Sequence, residues 1–127
     1  NRSLTLVVIS EPGSIALIRI NKYMADSPTK RSLKKLREEG YLCQVVEHWN
    51  PFARVRQDLF GFIDIVAIKD GVTLGVQTTT RANINARVVK IRWLTAYPIV
   101  KASGWKVVCH GWSKLKNDRW DCKVIEL

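Results

Sequence analysis

The sequence predicts an α/β domain, and three observations carry the prediction. The run Phe62-Ile63-Asp64-Ile65-Val66-Ala67-Ile68 is almost wholly apolar, as a strand buried on both faces is. Lys69-Asp70-Gly71 is a hairpin turn that returns residues 72–79 beside that run. Two other segments, one after Asp26-Ser27-Pro28 and one over residues 82–103, repeat apolar residues at helical spacing. From Met24 onward the expected order is α-β-β-β-α-β-β.

The elements follow in turn. In residues 1–23, Leu4-Thr5-Leu6-Val7-Val8-Ile9 and Ile15-Ala16-Leu17-Ile18-Arg19-Ile20 flank Glu11-Pro12-Gly13 and read as a hairpin. This segment is expected to be an appendage or a non-native extension, with the core domain at 24–127. It makes a poor secretory signal, because Glu-Pro-Gly interrupts the apolar stretch and no small-residue cleavage site follows. Asp26 or Ser27 caps a helix with Pro28 at its first position, Leu33 and Leu36 share a face, and Gly40 closes it after Glu38-Glu39. Residues 41–49 form a first strand, and 50–58 a polar loop carrying Arg54 and Arg56. In the helix at 82–103, Ile84, Val88, Ile91 and Thr95 make one stripe, with Val89, Trp93 and Ala96 beside it. Pro98 is expected to break or kink that helix, and Gly104 ends it. Residues 105–112 and 120–126 make a last hairpin around Asn117-Asp118.

Composition bounds the function. At 127 residues, 46% hydrophobic and 25% charged, the chain is one globular domain. No apolar run approaches the roughly 18 residues a membrane-spanning helix needs. The net charge is +10. Without residues 1–23, 18 basic and 10 acidic residues remain, a net charge of +8, so the basic character belongs to the core. Such an excess points to a polyanionic partner, most often nucleic acid, although an anionic membrane surface shares the chemistry. Cys43, Cys109 and Cys122 are odd in number and lack a C-x-x-C or Cys/His pairing, which argues against a disulfide framework or zinc ribbon. They read as small apolar fillers in a reducing, cytoplasmic compartment.

One residue stands apart. Asp64 has only apolar neighbours in its strand, where a carboxylate is costly unless a cation or strong donors meet it. A tight hairpin brings Gln77 near it on the same face, and Thr79 shares that face by the period-two alternation. Oxygen-bearing side chains there suit a hard cation such as Mg²⁺. The structural alternative, equally open, is that Asp64 holds an arginine or caps a turn. Arg54, Arg56, Arg81, Arg87, Lys90 and Arg92 flank the Asp64/Gln77 pair in sequence and are candidate DNA-phosphate contacts. Lys114, Lys116 and Arg119 are a weaker second group. His48 and His110 read as structural, and Trp93, Trp105, Trp112 and Trp120 as core rather than base-stacking residues.

The run Gly61-Phe62-Ile63-Asp64-Ile65-Val66-Ala67, then Gly75-Val76-Gln77-Thr78-Thr79 and a basic helix, resembles the PD-(D/E)XK nuclease superfamily. Within it the chain is similar to archaeal-type Holliday-junction resolvases and VRR-NUC domains, including small phage versions, over residues 27–127. The resemblance implies a restriction-endonuclease-like fold, with a mixed central sheet flanked by helices, and Mg²⁺- or Mn²⁺-dependent cleavage of DNA, including branched DNA. It assigns the metal-binding aspartate to Asp64, the neighbouring Glu/Gln position to Gln77, and a metal-facing backbone carbonyl to Thr78. Thr79 stands where the family usually has lysine, and Thr29-Lys30-Arg31-Ser32 where resolvases carry a helix glutamate. Glu47 or Asp58 is then expected to supply the missing carboxylate, and Arg81 or Lys90 the missing cation. A homodimer is an open expectation. The rival is a nuclease-fold module that only binds nucleic acid, which Gln77 and Thr79 favour.

Overall fold

Ser27 opens the first helix, α1 (Pro28–Glu38), in the computed structural model, whose described residues are 27–127. The Ser27 hydroxyl accepts from the Lys30 N–H at 3.1 Å, and Pro28 lies in the first turn, where a backbone donor is not needed. Leu33 and Leu36 face inward and are buried. Lys35 pairs with Glu39 at 2.7 Å, and Gly40, at φ +96, ends the helix. The hairpin expected at 1–23, and its boundary with the core, lie outside the described residues.

The chain continues through β1 (Leu42–Val45), β2 (His48–Asn50), β3 (Val55–Gln57), β4 (Ile65–Lys69) and β5 (Val72–Thr80). A 3₁₀ turn (Arg81–Asn83), α2 (Ile84–Trp93) and α3 (Ala96–Ala102) cross over to β6 (Lys106–Lys114), which turns back as β7 (Trp120–Glu126). Five strands form one sheet in the order β1-β4-β5-β6-β7. It is mixed: β5 and β6 are parallel and the other pairs antiparallel. The α/β class with helices flanking a mixed sheet is therefore present.

Alternation along the strands builds two apolar layers. On one face Leu33 and Leu36 pack with Cys43, Ile65, Ala67, Leu74, Val76 and Val108. On the other, Phe62 and Ile63 pack with Ile91, Val100 and Val107, and Ile84 and Val88 with Cys109. Glycine lets the crossover lie close: a Cβ on Gly111 would come 2.9 Å from Ile84 Cδ1 and 3.2 Å from Arg81 Cα. All three cysteines are free, and burial pushes their thiols up to about 11. No helix among the described residues is long and apolar enough to cross a membrane.

The first strand and the tryptophans differ from expectation, and the long helix breaks where expected. The strand expected at 41–49 is two: the Val46 N–H donates to the Asp64 carbonyl at 2.8 Å, the ladder ends, and β2 leaves to pair with β3. The break expected from Pro98 in the helix at 82–103 is present: the segment is two helices, α2 and α3, separated at Leu94, which has extended backbone. Pro98 is the cause, since a proline ring clashes with the carbonyl four residues earlier, at Leu94. Pro98 itself sits in the first turn of α3, where no N–H is missed. The core reading of tryptophans fails for Trp93, which is 84% exposed, and for the largely open Trp120, whose ring lies 3.5 Å from the Arg31 guanidinium carbon. Trp93 falls half a helical turn away from the buried Ile84, Val88 and Ile91.

A buried polar tie joins α1 to β6. Trp112 Nε1 can only donate, and it does so to Ser32 Oγ at 2.9 Å. The Ser32 hydroxyl and His110 Nδ1 share a hydrogen bond at 2.8 Å. Burial, assisted by Lys35, pushes His110 down to about 4. A histidine depressed in the folded state contributes stability above its unfolded value near 6.5 and loses it as pH falls toward the folded one. Wild type is therefore expected to lose about 2 kcal/mol more than His110→Asn between pH 7 and 4.5. Asn offers Ser32 both an acceptor and a donor, and titrations elsewhere cancel in the difference. Denaturant melts at the two pH values measure it, and equal losses would show that His110 is protonated without penalty.

Candidate functional site

The antiparallel register Ile65↔Val76 sets Asp64 opposite Gln77 at the mouth of the β4–β5 pair. Asp64 is 3% exposed. Its Oδ2 accepts from Gln77 Nε2, from the Thr78 N–H at 2.8 Å and from the Thr78 hydroxyl at 3.2 Å. Asp64 is also hydrogen-bonded to Asp58 and Glu47. The Thr78 hydroxyl also lies 3.0 Å from Thr29 Oγ1, tying the start of α1 to the site.

Two further carboxylates reach Asp64. Glu47 follows Val46, whose N–H is anchored on the Asp64 carbonyl. Asp58 follows β3 and precedes Leu59, which bridges to Ile63. One oxygen from each of Glu47, Asp58 and Asp64 lies within 4.8 Å of the others. Burial pushes Asp64 up to about 6, with Glu47 adding to the rise and the Thr78 N–H opposing it. Burial, then the hydrogen bond and charge of Asp64, push Asp58 up to about 6, against Gln77 and Arg87. Crowding and desolvation thus make both acids hold protons that an exposed carboxylate would release.

Cations border the cluster. Arg56 Nη1 pairs with Glu47 Oε1 at 3.1 Å, and Arg87, half-buried on α2, is close enough to draw Asp58 down. The structure thus brings together Asp64, Gln77, Thr78, Glu47, Asp58, Arg56 and Arg87, and Thr79 lies buried along the same strand. It does not bring Arg81 in: that guanidinium pairs with Asp121, on the edge strand β7, at 3.0 Å. Arg54, Lys90 and Arg92 are exposed. Gln77, expected as a metal ligand through its amide oxygen, instead turns its amide nitrogen to Asp64 and also donates to Asp58. It holds two carboxylates in place, and Glu47 occupies the third corner. Thr29 was missed as a site neighbour; its only signal was an uncharged residue where the resolvase pattern has an acid.

Three carboxylates with no nitrogen or sulfur donor form a hard, oxygen-only set, which fits Mg²⁺ or Mn²⁺ and does not suit zinc or copper. Comparison of the chain with protein-family models, with curated proteins and with solved structures finds no match.

Proposed function

We propose that the protein is a Mg²⁺- or Mn²⁺-dependent DNA endonuclease of PD-(D/E)XK type, with branched DNA among its substrates. The observation that carries the reading is the convergence of Glu47, Asp58 and Asp64 beside Arg56 and Arg87 in a domain of strongly basic composition. These three carboxylates would hold the cation. A bound divalent cation supplies hydroxide near neutral pH and stabilises charge building on the phosphate. The chain's own residues do the rest. Gln77 and Thr78 fix Asp64 through Oδ2, Arg87 and Arg56 attract the scissile phosphate, and Arg54, Lys90 and Arg92 hold flanking phosphates without reading sequence. Arg87 stands in for the lysine that the family places at the position of Thr79. Cleavage of labelled duplex and four-way-junction DNA in Mg²⁺ or Mn²⁺, against EDTA, tests the reading; intact DNA in both metals would overturn it.

A binding-only module is the second reading, and the buried neutral Thr79 is the observation that favours it. Both readings require salt-sensitive DNA binding. With three or four of these cations on phosphates, log Kd should change by roughly 3 per decade of salt, from about 0.9 per phosphate. Fluorescence anisotropy from low to moderate salt measures the slope, and a flat dependence would exclude both.

A further inference from the structure

The β2–β3 hairpin stands outside the five-stranded sheet, and its apolar side chains are uncovered. Phe52 at its tip is 97% exposed, Trp49 56% and Val55 47%. Single exposed apolar residues are ordinary, but three within seven residues on one projecting ribbon, interleaved with Arg54 and Arg56, are not. The tip is also built. Asn50 Oδ1 accepts from the N–H groups of Phe52 at 2.9 Å and Ala53 at 3.1 Å, and the Arg54 N–H donates to the Asn50 carbonyl at 2.8 Å. Arg54 takes a left-handed conformation, φ 56, to close it. At its root the hairpin begins after Glu47 and ends before Asp58, two of the three clustered carboxylates.

Residues 48–57 contain Arg54 and Arg56 and no acid, so a second copy seated on this ribbon would set like charges together. A polyanion with flat apolar surfaces answers both features. We propose that the hairpin is an arm that enters nucleic acid where a base is unpaired: Phe52 wedges into the stack, Trp49 stacks on the displaced base, and Arg54 neutralises the phosphate alongside. This rests on the nucleic-acid reading above and narrows it to duplexes interrupted by an unpaired base. The ladder of three residues per strand is roughly 10 Å long at about 3.4 Å per residue, so the wedge stands about three base steps from the carboxylates.

The test uses the full chain in EDTA, where nothing is cut. Its substrates are a fully paired duplex and the same duplex carrying one bulged base, each with 2-aminopurine at the paired position next to the bulge site, where a wedge would unstack it. Wild type is expected to bind the bulged duplex about tenfold more tightly and to brighten the 2-aminopurine at saturation. Phe52→Ser should lose the preference and the brightening while binding the paired duplex within about twofold of wild type. Phe52→Leu should retain both, because an apolar wedge is restored. Equal wild-type affinities, or brightening that survives Phe52→Ser, would overturn the arm. So would vesicle binding or dimerisation that Phe52→Ser abolishes without any change toward DNA. Absence of binding to either duplex would overturn the nucleic-acid reading together with the arm.

Discussion

Asp64→Asn is expected to reduce metal-dependent cleavage by at least about 10²-fold and, at neutral pH, to make the fold more stable. The catalytic loss follows from removing the most buried of three carboxylates, since metal stabilisation of the transition state contributes several kcal/mol and each 1.36 kcal/mol is tenfold in rate. The gain in stability follows from the raised acid. A carboxylate held up to about 6 in the folded state contributes stability below its unfolded value of about 3.8 and loses it as pH rises through 6. At pH 7 the ionised Asp64 therefore costs up to about 3 kcal/mol. Asn retains an oxygen for the three donors on Oδ2 without the charge. Denaturant melts should show a gain of about 1–3 kcal/mol at pH 7 that vanishes below pH 4. Mg²⁺ should raise the melting temperature of wild type and leave that of Asp64→Asn unchanged. Undiminished cleavage would remove Asp64 from the site. A loss of stability at pH 7 would show that its negative charge holds the strand mouth together.

The second large effect is on the core. Phe62 is 1% exposed, lies two residues before Asp64 and meets the Tyr97 ring edge-on at 6.5 Å between centroids. It is packed among Ile63, Ile91, Val100 and Val107, where the crossover helices rest on the sheet. Phe62→Ala leaves a cavity between two rigid layers and is expected to cost about 3–5 kcal/mol, a large share of the roughly 5–15 kcal/mol of a domain this size. Phe62→Leu should cost less than about 1.5 kcal/mol. Chemical denaturation followed by circular dichroism measures both. A loss below about 1 kcal/mol for Phe62→Ala would mean that the two layers are not in contact there.

What was legible in the sequence was whatever a local pattern dictates. A carboxylate in an all-apolar strand announces itself, and the Lys69-Asp70-Gly71 turn brings Gln77 to it by alternation alone. The helix cap at Ser27 and the burial of Leu33 and Leu36 follow from adjacent residues in the same way. The partners of Asp64 were not legible at that level. Glu47 and Asp58 meet because the segment between them folds back on itself, and the signal for that turn, Asn50-Pro51, sits inside a stretch that reads as polar loop. The pairing of Arg81 with Asp121 crosses 40 residues and depends on which strand lies beside β6. Trp93 departs from its expected place beside the Ile84, Val88 and Ile91 stripe because at about 100° per residue it lies roughly opposite all three.

The parallel pairing of β5 with β6 divides the described chain into two locally wired halves. Residues 42–80 close on one another through successive antiparallel contacts, and 106–126 through a single hairpin. The whole carboxylate cluster, from Glu47 to Thr78, belongs to the first half. Contacts of short sequence separation form with little loop entropy, whereas the parallel seam must wait for residues 81–105 to be laid across the sheet. The strand order therefore predicts an order of assembly in which the mouth of β4 and β5 is shaped early and the β6–β7 ribbon docks onto it late. Substitutions in the first half are then felt in the refolding rate, and those at the seam, such as around Val108 and Cys109, in the rate of unfolding.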